Sequence, residues 1–138
     1  MATPFDTIAD MALITIQDYR LNHLYEIDED AFRMQMAGMI VKSVPKFVSC
    51  NNSLSYNIET QSFESDLTYK EIDILADLVV ITWFEGVVND ITQVNLHLQG
   101  RDAKHNAESS NLKEKSERLD RLREKVRQDM CDYEISNM

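Results

Sequence analysis

The sequence predicts an all-α fold, a small helical bundle around one central buried helix at about residues 67–98. The 138 residues include only three Gly and two Pro, whereas the turns and bulges of β-rich folds use both. One long apolar block is present, with the sequence LTYKEIDILADLVVITWFEGVVNDITQVNLHL. In several flanking segments apolar residues recur at three- and four-residue spacing, which is the helical period. The length is that of one domain, residues 1–138.

The central helix begins at a capping box. Thr68 is followed three residues later by Glu71, so each side chain can accept a hydrogen bond from the backbone N–H of the other residue. Two adjacent apolar stripes then run along the helix: Ile72, Leu75, Val79, Trp83 and Val87, and Ile74, Leu78, Ile81, Val88 and Ile91. Two stripes predict neighbours on both flanks. A β-strand over VVITWF is favoured by residue type, but strict alternation is absent.

The N-terminal segment predicts two short helical stretches. Thr3 and Pro4 form a favourable helix entry, since proline at the first helical position loses no hydrogen bond. The first helix is expected from Pro4 to about Leu13. Residues 14–16 are a short β-branched break, and residues 18–25 resume a helical pattern.

A second helix is expected from the acidic residues 28–30 to Lys42. Carboxylates favour a helix N-terminus, and these acids lack the alternating ligands and the glycine of a calcium loop. The apolar stripe of this helix is Phe32, Met36, Met39 and Ile40, and we predict core positions for both methionines. An adaptable methionine surface is the alternative. Pro45 ends the helix, because the residue before a proline is pushed out of the α region.

Two segments lack helical periodicity. Residues 44–65 are rich in Asn, Ser and Thr and predict one irregular loop region, with a minor β-pairing around residues 56–58. A connection of this length often contacts a partner, and we take that role as a hypothesis. Residues 95–111 break the apolar pattern at Gly100 and predict a second exposed connection.

A long amphipathic helix is expected at about residues 107–133. Its single apolar stripe consists of Leu112, Leu119, Leu122, Val126, Met130 and Tyr133. Glu114 with Arg118, and Glu117 with Arg121, have the favourable order for ion pairs one turn apart. One stripe means one buried side, so this helix lies on the surface and can extend past the domain or pair with another subunit.

The charge distribution argues against direct binding of nucleic acid. The net charge is −10, and residues 1–100 hold 5 Lys and Arg against 15 Asp and Glu. Groove binding requires clustered cations. The sequence contains no stretch typical of a signal peptide or membrane span, so we expect a soluble protein that is not exported and does not bind a membrane. Cys50 and Cys131 are expected to be unpaired thiols.

The sequence predicts no catalytic, metal or cofactor site. His23, His97 and His105 have no His or Cys partner at a zinc-ligand spacing, and phosphate loops, nucleophile elbows and Cys-x-x-Cys motifs are missing. Asp73 and Asp77 lie one turn apart and are interpreted as the polar edge of the central helix rather than a catalytic pair. An enzyme is therefore not expected.

Three adjacent positions are predicted to form packing contacts. Trp83 and Phe84 lie in the middle of the chain, with Gly86 shortly after them. Glycine inside a helix costs about 1 kcal/mol relative to alanine. Gly86 therefore indicates a bend or a close approach, either a helix crossing within the chain or a contact between subunits.

The order of these patterns resembles a known family. The stretch DLTYKEIDILADLVVITWFE, followed by NDITQVNLHLQGRDAKHNAESSNLKEKSERLDRLREKVRQDMCDY, resembles the small head-tail connector proteins of long-tailed bacteriophages, mainly those of Gram-positive hosts. The opening DMALITIQDYRLNHLYEIDEDAF is similar too. The resemblance implies an all-helical structural protein of the virion neck, made in the host cytoplasm, that forms a ring, commonly a dodecamer.

The resemblance also implies partners. These are the portal protein, further copies of the chain, and the next neck or tail-completion protein, with DNA passing through an acidic channel without specific binding. Residues 107–138 would be an arm that docks on the portal through the apolar stripe, attached to a core that folds without it. The alternative is a cytoplasmic helical adaptor or regulator that binds a protein through the same helix; a small oligomer such as a dimer would favour it.

Overall fold

The fold is mostly helical, with one small sheet. The computed structural model describes residues 3–16, 26–97 and 102–136, with side chains for residues 3–16, 26–90 and 112–136. The helices within these ranges are α1 (Phe5–Ile16), α2 (Glu29–Ser43), α3 (Tyr69–His97) and α4 (Asp102–Ser136). A 3-10 helix (Val44–Lys46) and the strands β1 (Thr3–Pro4), β2 (Tyr56–Asn57) and β3 (Ser62–Phe63) occupy parts of the remainder.

Helix α3 is central, as predicted. The N–H of Glu71 donates to Thr68 Oγ1 at 3.2 Å, and the N–H of Thr68 donates to Glu71 Oε1 at 2.8 Å, which confirms the capping box. The helix packs against α1, α2 and α4. Its side chains with no exposed surface include Ile74, Leu75, Val79 and Val80. Ile74, Leu75 and Val79 come from the two predicted stripes, and Val80 lies outside both, so α3 is buried over a broad arc.

The small sheet joins the N-terminal segment to the start of α3. Its strand order is β1-β3-β2, and both pairings are antiparallel. Thr3, expected at a helix entry, instead pairs with Phe63, and α1 begins at Phe5. The Thr3 hydroxyl donates to the carbonyl of Ser65 at 3.0 Å and accepts from the N–H of Leu67 at 2.9 Å. The predicted pairing near Tyr56 is present, with β1 as an additional edge strand.

The first two helices agree with the sequence except at one boundary. Helix α1 continues to Ile16, so the expected break at residues 14–16 is wrong. Ile16 is buried in the core, and this packing outweighs the small helix penalty of a β-branched residue. The helical pattern at residues 18–25 lies outside the described residues. Helix α2 begins as predicted, with Asp28 accepting from the N–H of Ala31 at 3.1 Å.

The two segments without helical periodicity differ in outcome. Residues 44–65 are largely irregular, as predicted, and the buried rings of Phe47 and Phe63 attach them to the core. Residues 95–97 and 102–111 are instead helical, so the expected connection is wrong for these parts, and residues 98–101 lie outside the described residues. Loss of apolar periodicity shows only that a segment lacks an amphipathic pattern. The Ala, Lys and Glu residues after position 101 are compatible with a helix.

Helix α4 runs antiparallel to α3. Tyr133 contacts Glu71, Lys125 contacts Asp77, and the guanidinium of Arg118 lies 4.9 Å from the ring centroid of Phe84. Residue numbers rise along α4 as they fall along α3, so the two helices form a long hairpin. No helix in the described residues is long and apolar enough to cross a membrane.

We predict that the chain does not keep a folded core without α4, contrary to the arm interpretation. Ending the chain at Gly100 removes the buried side chains of Leu119, Val126 and Tyr133 and uncovers one side of α3. Because each such side chain contributes about 1.5–3 kcal/mol, the loss is comparable to the stability of a small domain. The measurement is urea unfolding followed by circular dichroism, with a chain ending at Ser136 as the control. A cooperative transition in the chain ending at Gly100 would contradict this expectation.

Candidate functional site

The apolar stripe of α4 lies against α3 of the same chain. Leu119, Val126 and Tyr133 are buried, whereas Leu112, Leu122 and Met130 are half-buried. The partner surface that the stripe requires is therefore supplied within the chain. In this conformation the stripe is not a free surface for docking on another protein. The expected ion pairs of Glu114 with Arg118 and Glu117 with Arg121 are not among those that the described side chains form.

Phe84 packs in the core, whereas Gly86 has no close neighbour within the described part of the chain. Phe84 is buried and meets the half-buried ring of Trp83 edge-on, with 4.8 Å between centroids. A Cβ added at Gly86 would meet nothing within 4 Å. A tight helix crossing at Gly86 is therefore wrong for the described part of the chain. Gly38, in the middle of α2, is equally open.

The most connected polar group that the structure describes is the carboxylate of Glu71. Its side chain is 1% exposed. Oε1 accepts from Thr68 N–H at 2.8 Å and from Asn52 Nδ2 at 2.6 Å, and Oε2 accepts from Tyr133 Oη at 2.6 Å and from Cys50 Sγ at 3.4 Å. Tyr133 Oη also accepts from the N–H of Asn51 at 2.8 Å. One side chain thus joins the loop, the start of α3 and the last turns of α4.

This carboxylate stays ionised although its four donors are all neutral. Burial acts to raise the pKa of Glu71, but hydrogen bonds from Tyr133, Thr68, Asn52 and Cys50 outweigh it and lower the pKa to about 2. No Lys or Arg side chain among the described residues lies within 4.0 Å of it. The N-terminus of α3 supplies further favourable potential, because Glu71 lies in its first turn.

The groups around Glu71 are poor catalysts. Burial, followed by the hydrogen bond to Glu71, raises the pKa of the Cys50 thiol to about 11, which keeps it protonated and a weak nucleophile. Burial and Glu71 also raise the pKa of Tyr133. A carboxylate with a pKa of about 2 is a weak base at neutral pH. The arrangement stabilises structure and does not resemble an acid–base or nucleophilic site.

A cleft opens beside this network, at the end of the molecule where α3 begins and α4 ends. Its volume is about 430 Å³. The lining residues are Asn51, Asn52, Thr68, Lys70, Glu71, Asp132, Tyr133 and Ser136. The walls therefore come from the loop, α3 and α4, and Glu71 and Tyr133 belong to both the network and the cleft.

Three carboxylates meet near the cleft, which the sequence did not indicate. Asp73, Asp77 and Asp129 have oxygen atoms within 4.8 Å of one another. Lys125 Nζ lies 2.7 Å from Asp77 Oδ2 and 3.2 Å from Asp129 Oδ2. Asp77 is buried, so its expected place on a solvent-facing edge is wrong. Burial raises the pKa of Asp77, and the ammonium of Lys125 opposes that rise.

The ammonium of Lys125 supplies the positive charge that a bound metal cation would supply in this cluster. The hydrogen bond to Asp77 raises the pKa of Lys125, so the ammonium is retained. The contact between Lys125 and Asp77 connects α4 to α3 at a point between Glu71 and Phe84 along α3. The side chains of His23, His97 and His105 lie outside the described residues. Cys50 and Cys131 are both free thiols.

Comparison with known proteins returns no relative. No protein-family model, curated protein or solved structure matches this chain.

We predict that Glu71→Gln destabilises the fold in a pH-dependent manner. Because folding lowers the pKa of Glu71 from 4.5 to about 2, the ionised group stabilises the fold fully above pH 4.5 and loses that effect as the pH falls towards 2. The shift corresponds to about 3 kcal/mol at neutral pH. Urea unfolding at pH 7 measures the loss of stability in Glu71→Gln, with Glu64→Gln at an exposed position as the control. The difference in the free energy of unfolding between wild type and Glu71→Gln should narrow below about pH 4.5. A difference that is constant with pH would contradict the expectation.

We predict that Gly86→Ala stabilises the single chain. Alanine removes the helix penalty of glycine, about 0.5–1 kcal/mol, and its Cβ enters open space. Thermal or urea unfolding checks this, with Gly38→Ala in α2 as the matched variant. Destabilisation by Gly86→Ala alone would reveal a close approach at this position that the single chain does not contain.

Proposed function

We propose that this chain is a structural, non-enzymatic protein of a phage neck, which forms a ring between the portal and the next neck or tail component. The observation that carries the proposal is where the resemblance falls. The two stretches that resemble head-tail connectors include α3 except for residues 86–88, and most of α4. These helices form the long central hairpin, so the resemblance lies in the part of the chain that determines the architecture.

The exposed apolar side chains support a protein that works by contact. Seven large apolar residues among the described side chains are more than half exposed: Ile14, Ile27, Met34, Val48, Ile58, Tyr69 and Ile135. They lie on α1, near the start of α2, in the loop and at the ends of α3 and α4. Single exposed apolar residues are ordinary, but their spread suits a subunit that has neighbours on several sides.

In this proposal, α4 contacts its partners through a surface other than its apolar stripe. Since Leu119, Val126 and Tyr133 are buried against α3, contact with a portal falls to side chains on the outward face of α4 or in the loop at residues 44–65. The acidic excess of residues 1–100 suits a channel past which DNA moves without binding.

We expect native mass spectrometry to find either a ring-sized assembly, of the order of a dodecamer, or a monomer that joins the portal in stoichiometric numbers. The protein is measured alone and then mixed with the portal of the same phage. A ring or a stoichiometric complex follows from the proposal, because the subunit buries its remaining apolar surface only against neighbours. A stable dimer that ignores the portal would overturn the proposal in favour of the adaptor or regulator.

A further inference from the structure

Three exposed apolar side chains flank the cleft end of the molecule. Tyr69, the first residue of α3, is 91% exposed, Val48 is 89% exposed and Ile135 is 67% exposed. Tyr69 lies between two residues that line the cleft, and Ile135 is followed by a third. Val48 follows Phe47, whose ring centroid lies 5.3 Å from that of Tyr133. Loop, α3 and α4 thus each present one large apolar side chain at this end.

Folding of the single chain does not use these side chains. Val48 and Tyr69 are almost as exposed as in an unfolded chain, although burying large apolar side chains such as these is favourable. The buried neighbours Phe47 and Tyr133 hold the backbone of this end in place. The apolar groups are therefore displayed from a supported surface, which is the arrangement of an anchor position in a binding interface.

The charge of the same end identifies what would bind there. Residues 64–77 and 125–136, which lie side by side through Glu71, Tyr133, Lys125 and Asp77, contain eight Asp and Glu but only three Lys and Arg. The excess of five negative charges is half of the net charge of −10. Within the cleft, Lys70 lies 3.8 Å from Asp129, so its ammonium is directed to a carboxylate.

We infer that the cleft end docks a cationic, amphipathic segment of a protein partner, with arginine or lysine side chains at the acidic groups and apolar side chains on Tyr69, Val48 and Ile135. Complementary charge would steer and orient the segment, and the exposed apolar residues would supply contact area. The negative potential disfavours a nucleic acid or an anionic lipid surface. The inference rests on this end of the molecule alone, and it holds whether or not the chain forms a ring.

The test uses the full chain and synthetic peptides of about twelve residues, the length of a short recognition helix or strand. The probe is a fluorescein-labelled peptide of alternating arginine and leucine, and fluorescence anisotropy gives its Kd. Two further peptides carry glutamate in place of arginine, or serine in place of leucine. We expect tight binding of the arginine–leucine peptide, at least about fivefold weaker binding of the arginine–serine peptide, and no binding of the glutamate peptide.

Matched variants decide whether binding is local. The site variant combines Tyr69→Ser, Ile135→Ser and Asp132→Asn, all at exposed positions of the cleft end. The control variant makes the same kinds of change elsewhere, with Ile14→Ser, Met34→Ser and Asp10→Asn. We expect the site variant to weaken binding at least about tenfold and the control by less than about twofold.

Several outcomes would overturn the inference. Equal losses in the two variants would mean that the peptide binds through overall negative charge. Equal affinity for the arginine–leucine and arginine–serine peptides would show that apolar contacts do not contribute to binding. Sedimentation of the wild type and both variants tests whether a second copy of the chain binds at this end. If the wild type self-associates and the site variant does not, the surface belongs to a second copy. Circular dichroism verifies that each variant is folded.

Discussion

The buried carboxylate of Glu71 is the interaction on which the arrangement of the other elements depends. It closes the capping box of α3, holds the loop through Asn52 and Cys50, and accepts a hydrogen bond from Tyr133 near the end of α4. A buried charge without a counter-ion costs several kcal/mol unless it is fully hydrogen-bonded. Displacing any one of these elements would leave that charge with an unmade bond, so the network favours one arrangement of all three.

The antiparallel packing of α4 on α3 has a polar contact at several levels. Tyr133 meets Glu71 at one end, Lys125 meets Asp77 further along, and Arg118 lies over Phe84 near the middle of both helices. Apolar packing is non-directional, so a stripe of Leu and Val does not by itself select one register. A shift of one turn along α3 would remove the hydrogen bond of Tyr133 from Glu71 and that of Lys125 from Asp77. These pairs therefore select the register that the apolar side chains stabilise.

Local features of the fold could be predicted from the sequence, whereas its long-range pairings could not. The capping box, the central helix and the start of α2 depend on residues within one or two turns, and all are present. The contacts of Glu71 with Tyr133 and of Asp77 with Lys125 join residues 62 and 48 positions apart, and no periodicity encodes such a separation. For the same reason the sequence identified the buried face of α4 but not the surface that it packs against. Glu71 could be predicted as a cap, but not as the centre of a network.

In the described part of the chain, the polar contacts of the interior stabilise structure, and the apolar groups that folding leaves unused lie on the surface. The polar groups that join the loop, α3 and α4 are held in ways that suppress reactivity: Glu71 is held as an ion, the half-buried Cys50 thiol is kept protonated, and the exposed Lys125 lies between two carboxylates. Among the described residues, Tyr69 and Val48 are exposed, and Gly38 and Gly86 weaken their helices without serving intrachain packing. Catalytic sites shift pKa values towards the reactive form of a group, whereas the shifts at Glu71 and Cys50 hold each group in its unreactive form. A surface that carries exposed apolar groups and open glycines is suited to receiving another backbone.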